Sequence, residues 1–419
     1  MLHLEDEKLA NASARTRGTA LASKLLWAAF AAILLFGLAP TPFGNTTAFR
    51  IFDGLFIFAT LLMILRGGHN RVGLTISFIC IVYLILDAVI FFTGGLQDPI
   101  NFSIPKLSDL IYADKFIVYF VMMSFFIGKR VFSKAFFKNL LLLMLSVFCV
   151  KYTYIKLISI SERPRVFVEN NYELVWLSIV FLLYSFFEIR DGRKVPMLLF
   201  AALVFVFSLS GSRSGTLCLI PIAVFLYARV NLAGLVGMMM GVPAAIYVVL
   251  DVFATRTISI DRVDRFRFFT SFLEEVKLFD WWNYIVGVKP ISPLHNFTCI
   301  KLNYYSELFS SQGGGLCYSP ILHSFFLRSI IDHGILGVIV PFYFIFLMLR
   351  VAKFDYREAF SLIAIVFICS LAVSGIGTSF VAFPLSLALG AKIGSTPNRF
   401  GQGSLMRKKS RVFAQSRPR

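Results

Sequence analysis

The chain predicts an all-α, polytopic integral membrane protein, and three observations carry that fold class. Mean hydropathy is +0.77, and 58% of the 419 residues are hydrophobic against 15% charged, outside the range of soluble globular chains. Twelve apolar runs, most of them long enough to cross ~30 Å of hydrocarbon, recur between polar breaks. Lysine and arginine collect in alternate loops, the pattern left when positive charge is retained on the cytoplasmic side.

Residues 1–22 are polar, with Glu5, Asp6, Glu7, Lys8, Arg15 and Arg17, and read as a cytoplasmic N-terminal tail. No small-residue cleavage site follows, so the first run, 23–40, reads as an uncleaved signal anchor. Further runs at 47–65, 73–94, 113–128, 138–160, 172–188, 195–210, 215–229 and 232–252 complete a block of nine spans over 23–252. A loop over 253–320 separates this block from runs at 321–349, 358–379 and 380–391, and 392–419 is a basic tail. Arg15, Arg17 and Lys24 precede the first span. Arg66 and Arg71, then Lys129, Arg130, Lys134 and Lys138, then Arg190, Arg193 and Lys194 follow spans two, four and six. Arg229, Arg350, Lys353, Arg407, Lys408, Lys409 and Arg411 continue the series. All fall on one side of a twelve-span topology, which puts both termini in the cytoplasm.

A net charge of +18 is accounted for by this topology and by attraction to anionic inner-leaflet lipid. Nucleic-acid binding is disfavoured, because the basic residues are dispersed over short loops and the tail lacks interleaved aromatics. Cys80, Cys149, Cys218 and Cys369 lie in apolar spans, where a thiol acts as a small hydrophobe. Cys299 and Cys317 share the outward loop, where an oxidising compartment permits a disulfide, although spacing alone leaves the bond open.

The 253–320 loop holds most of the unexplained polarity, and loops of such length carry function or are disordered. Phe266, Phe268, Phe269, Phe272, Leu273, Trp281, Trp282, Tyr284 and Ile285 give it enough apolar surface to pack. Residues 264–280 read as an amphipathic helix, and Trp281-Trp282 suits a membrane interface. The loop also places Arg256, Arg262, Arg265 and Arg267 on a face where arginine is normally scarce. Singly, each reads as a solvated charge offset by Asp261, Asp264, Glu274 or Glu275; together they read as an anion-binding surface. The guanidinium fork stays charged and grips phosphate oxygens in pairs, which suits a pyrophosphate.

Two more outward sites add cations. Arg213 stands in Ser210-Gly211-Ser212-Arg213-Ser214-Gly215, a small-residue turn that a ligand can approach closely. Arg163 and Arg165 follow span five, with Lys151 and Lys156 near the same face. Asp87, Arg328, Asp332 and His333 fall within spans, where ionisable groups must face the bundle interior or a wet cavity. Arg328 and Asp332, four apart, read as a helix-face ion pair, and Gly237 with Gly241 as helix packing. No phosphate loop, H-E-x-x-H, nucleophile elbow or clustered Cys/His set occurs. His295 and His323, far apart in sequence, carry little signal for a metal.

His323-Ser324, nine residues, then Gly334-Ile335-Leu336-Gly337 sit where the loop re-enters the membrane. Taken with Ser212-Arg213-Ser214-Gly215 and with Arg265 heading Arg-Phe-Arg-Phe-Phe, this arrangement resembles the O-antigen ligase and polymerase superfamily. The motif resemblance covers about residues 205–345, and the topology extends it to the whole chain. The family's usual His-Asn is His-Ser here, and Phe269 stands where the family often has Trp.

The resemblance implies a metal-independent, inverting glycosyltransferase with a GT-C-like membrane fold, no cofactor and an active site facing the periplasm of a bacterial inner membrane. Its donor would be an undecaprenyl-pyrophosphate-linked glycan. The acceptor would be another glycan, for a polymerase of O-antigen, capsule or exopolysaccharide repeats, or lipid A-core, for a ligase; the reading leans to polymerase. His323 would be the general base, Arg213, Arg265 and Arg267 would hold pyrophosphate, and Arg163, Arg165, Arg256 and Arg262 would be further anion-binding groups. Ser212, Ser324, Gly334 and Gly337 complete the motif. Membrane lipids and a chain-length regulator are the remaining expected partners. A lipid-linked polysaccharide flippase is the alternative of another class, although it needs neither so long a loop nor a proton-transferring histidine.

Overall fold

The computed structural model of the protein describes residues 21–39, 45–94, 110, 113–158, 163–167, 170–227, 264–288, 292–302 and 317–393. These residues are all-helical apart from two isolated β-bridges, Phe132 with Ala391 and Pro293 with Tyr318. In chain order the helices are α1 (Leu21–Phe36), α2 (Asn45–Leu65), α3 (Arg71–Gly94), α4 (Lys115–Ser124), α5 (Lys134–Leu157) and α6 (Asn170–Arg190). There follow α7 (Met197–Ser210), α8 (Arg213–Leu217), α9 (Leu219–Tyr227), α10 (Asp264–Val276), α11 (Trp281–Val286) and α12 (Asn296–Lys301). Last come α13 (Phe325–His333), α14 (Leu336–Val351), α15 (Tyr356–Ala372) and α16 (Ser379–Leu389). Short 3-10 turns occupy Ser319–Leu322 and Gly375–Gly377.

Among the described residues, four stretches are long and apolar enough to cross a membrane: Thr47–Leu65, Arg71–Ile90, Lys134–Leu157 and Tyr172–Arg190. They coincide with four expected spans because nothing in those runs interrupts the backbone or the apolar pattern. Five further apolar helices are shorter, among them α1, α4, α7 and α16. The expected span over 321–349 is not one straight helix. Its two arms, α13 and α14, are bent by 116° at the break after His333, making a broken span or a re-entrant loop. The expected span at 232–252 lies outside the described residues.

At the centre stands α6, whose spanning stretch is 94% buried; Trp176, Phe181 and their neighbours pack against α5, α15 and α16. An apolar helix enclosed on every side is what a uniformly hydrophobic run requires. The basic loops meet at one end of the bundle. Lys129 Nζ donates to the Gly67 carbonyl, and Lys134 pairs with Glu188 at 2.7 Å and Asp191 at 2.8 Å. Arg190 Nε donates to Glu358 at 2.7 Å and its Nη2 to the Lys353 carbonyl at 3.0 Å. Arg357 caps the carbonyl end of α9 through Phe225, while Val131 N donates to Gly390 O at 2.7 Å. Among the described residues the alternation of charge thus becomes one basic end; Arg15, Arg17, Arg229, Arg407, Lys408, Lys409 and Arg411 lie outside them. Residues 37–39, 163–167, 211–213, 317–325 and 373–378 lie toward the other end, as the helix directions require.

Candidate functional site

Toward that second end, a separate small core binds the long-loop helices to α13: Phe268 and Phe272 of α10 pack with Leu294, Leu302, Ile321, Leu322 and Ile331. The Cys299–Cys317 disulfide, with Cα atoms 5.4 Å apart, closes the same core. Leu294 N donates to Cys317 O at 2.9 Å alongside it.

His323 sits directly after the Ser319–Leu322 turn in a left-handed conformation, φ +54°. Such a φ costs a non-glycine L residue roughly 1–2 kcal/mol and persists only when neighbouring contacts fix it. His323 N donates to Pro320 O at 3.2 Å, and Ser324 N to Leu322 O at 2.7 Å. Ser324 then holds the position before α13 without a capping bond of its own, its hydroxyl donating instead to Ser370 O of α15 at 3.2 Å while Phe325 N reaches Val373 O at 3.1 Å. The imidazole is half-buried.

Gly334 and Gly337 make the elbow. At Gly334, φ is +63° and an added Cβ would fall on the Ile285 and Val286 backbone of α11. Gly287, at φ +83°, meets the backbone of Asp332 and His333 from the opposite side. Two backbone hydrogen bonds seal the joint, Val288 N to Ile331 O at 2.8 Å and Ile335 N to Tyr284 O at 2.9 Å. Around Gly337, the side chains of His333 and Ser329 occupy the space a Cβ would need.

Arg213 begins α8 behind the Ser212 cap, whose hydroxyl accepts from Gly215 N at 3.1 Å. A Cβ at Gly215 would overlap Leu174, so the turn lies directly on α6. Cys218 Sγ contacts Ser214 O at 3.6 Å, and α8 also packs on α15. Arg265 is exposed at the start of α10, which packs on α13 and on the Ser319–Leu322 turn. The helix α15 therefore meets both the Arg213 turn and, through Ser370, the His323-Ser324 pair. Arg267, next along α10, is exposed.

Arg163 and Arg165 are exposed on a segment pinned by the buried Glu173 carboxylate, which accepts from Val166 N at 3.0 Å, from Phe167 N, and from Tyr152 Oη at 2.9 Å. Lys151 is buried with its ammonium on the Leu38 and Ala39 carbonyls, which gives it a structural task within the bundle. Arg256 and Arg262 lie outside the described residues.

The polar residues expected inside spans form one buried network. Arg328 Nε lies 3.6 Å from Asp332 Oδ2, and Arg328 Nη2 donates to Ala113 O at 2.6 Å. Ser319 Oγ donates to Asp332 Oδ2 at 2.6 Å. His333 Nδ1 is 2.7 Å from Tyr83 Oη, and its Nε2 is 3.6 Å from Asp114 Oδ1, beside Asp87. A narrow cleft lined by Phe116, Phe325, Arg328, Asp332 and His333 opens along it. Tyr83, Asp114 and Ser319 escaped the sequence reading, since each is joined to its partner only across the tertiary fold.

Chemically, the arrangement offers an imidazole with guanidinium groups on the elements around it. Among the described residues no His, Cys, Asp and Glu side chains are grouped as three or more candidate metal ligands. Searches with protein-family models and against curated proteins return no match for this chain.

Proposed function

We propose that the chain is a twelve-span, GT-C-like glycosyltransferase of a bacterial inner membrane, with both termini cytoplasmic and its active site facing the periplasm. It would transfer an undecaprenyl-pyrophosphate-linked glycan to an acceptor sugar hydroxyl and so polymerise repeat units. The observation that supports the reading is that the elements of the three sequence-distant motifs meet: α10, which carries Arg265, packs on the Ser319–Leu322 turn before His323, and α8, which begins at Arg213, packs on α15, where Ser324 donates to Ser370 O.

In the proposed step His323 accepts the proton of the acceptor hydroxyl as its oxygen attacks the anomeric carbon of the donor. The bond from that carbon to the pyrophosphate oxygen breaks, and the lipid pyrophosphate leaves with the electron pair. Arg213 and Arg265, with Arg267 beside them, offset the charge that collects on the leaving group. Attack opposite the leaving group inverts the anomeric centre. The activated donor supplies the driving force, so no nucleotide is needed.

The test is transfer by the purified protein from purified lipid-linked donor. His323→Ala is expected to insert and fold yet form no new glycosidic bond; full activity of that variant would remove the general-base role. A deletion strain separates the acceptors. Single repeats on lipid A-core mark a lost polymerase, and long chains stranded on lipid pyrophosphate mark a lost ligase. Donor translocation with no bond formation would instead identify a flippase.

A further inference from the structure

We infer that Asp332 is a positioning residue for His323, its carboxylate fixing through the Ser319 hydroxyl the turn that presents the imidazole. This rests on the proposed role of His323 as the acceptor-activating group.

Three residues other than glycine have positive φ among the described residues, Arg130, His323 and Lys353. Arg130 and Lys353 lie in loops of the basic end, and His323 stands alone at the other. Its strained backbone ends a turn of four residues that begins at Ser319. The Ser319 hydroxyl is buried and bound to Asp332 at 2.6 Å, in the short range of a charge-assisted bond. Asp332 is 5% exposed, and burying a carboxylate is costly unless it is paired and hydrogen-bonded.

A hydroxyl or carbonyl acceptor would be enough to end a turn, yet the fold places a buried carboxyl group here and braces it from behind. Arg328 approaches Asp332 at 3.6 Å and is itself tied to the Ala113 carbonyl at 2.6 Å. The far end of the turn is held by Ser324 and Phe325 on α15. With both flanks fixed, the left-handed residue between them has little freedom, as a group that must meet an acceptor hydroxyl in one orientation requires. Asp332 touches Ser319 and Arg328, so its effect on chemistry runs through the placement of His323.

The test compares Ser319→Ala, Ser319→Thr and Asp332→Asn with wild type and His323→Ala in the transfer assay, with rates taken per folded protein from gel filtration. Ser319→Ala is expected to lower kcat about 10–100-fold with KM for the donor within about twofold, the signature of a misplaced group in an intact binding site. Ser319→Thr, which keeps the hydroxyl, is expected to recover most of that loss, and Asp332→Asn to fall at least as far as Ser319→Ala. Should Ser319→Ala fail to fold, Ser319→Cys, nearly isosteric with a weaker donor, replaces it. Wild-type kcat in the hydroxyl-free variant, a loss borne wholly by KM, or Ser319→Thr as impaired as Ser319→Ala would overturn the inference while leaving the role of His323 standing. Undiminished transfer by His323→Ala would overturn that role first.

Discussion

Gly334→Ala tests whether the elbow between α13 and α14 is set by backbone contact. An alanine there takes on the cost of φ +63°, roughly 1–2 kcal/mol for an L side chain. Its Cβ would fall within 3.0 Å of the Ile285 backbone, so α11 must move away. Retreat breaks the bonds from Val288 N to Ile331 O and from Ile335 N to Tyr284 O, each worth about 1 kcal/mol. Lower entropy of the unfolded chain returns about 0.4–1 kcal/mol, leaving a net loss of about 2–4 kcal/mol. For 419 residues, an unfolding entropy of ~2.1 cal/mol/K per residue turns this into a fall in Tm of about 2–5 °C. The assay is thermal unfolding of the detergent-purified protein beside Gly54→Ala as control. Gly54 has open space at its Cβ position within α2, so alanine there gains up to about 1 kcal/mol of helix propensity. A Gly334→Ala protein that melts within about a degree of wild type would refute the backbone-contact account of the bend.

Removing the Cys299–Cys317 bond with paired serines is expected to cost about 2–4 kcal/mol and to speed proteolytic cleavage within 292–317, read by mass spectrometry. Glu358→Gln leaves the half-buried Arg190 with only the more distant Asp355 carboxylate, at 3.9 Å, and is expected to cost about 1–3 kcal/mol, seen as a lower Tm at constant pH. Hydrogen bonds from Lys134 and Arg193 hold the Asp191 carboxyl below its ordinary value of 3.8. The stabilisation is therefore fully present above pH ~3.8 and disappears as acid protonates the folded form, so wild type and Asp191→Asn should differ slightly at pH 6 and converge toward pH 3. Arg213→Lys and Arg265→Lys are each expected to slow transfer about tenfold or more, because an ammonium cannot reproduce the paired donors of a guanidinium; wild-type rates in both would remove the pyrophosphate clamp.

What the sequence made legible followed from uninterrupted local pattern. Thr47–Leu65 and Tyr172–Arg190 emerge where continuous apolar runs place them, and among the described residues the loop lysines and arginines at 66–71, 129–134, 190–194 and 350–357 come together at one end of the bundle. The bend at 334–335 was hidden because average hydropathy over 321–349 blends a polar-loaded arm, with Arg328, Asp332 and His333, into the apolar arm after it. Lys151 could not be separated from the outward cations by charge alone; its role depends on the Leu38 and Ala39 carbonyls, more than a hundred positions away. Tyr83 and His333 are 250 positions apart, and no periodicity reports such a meeting. Ser319 was obscured for a different reason, since a serine four residues before a candidate histidine looks like an ordinary loop residue until its acceptor is known.

The glycine joint between α11 and the elbow also has a mechanical side. With Gly287 and Gly334 set against opposing backbones and two hydrogen bonds between them, there is no side chain to slide or change rotamer at that seam. The disulfide and the small apolar core tie α10 and α12 to the same unit. The segment carrying Arg265 and the arm that follows His323 are therefore joined as one stiff unit, itself anchored to α15 through Ser324 and Phe325.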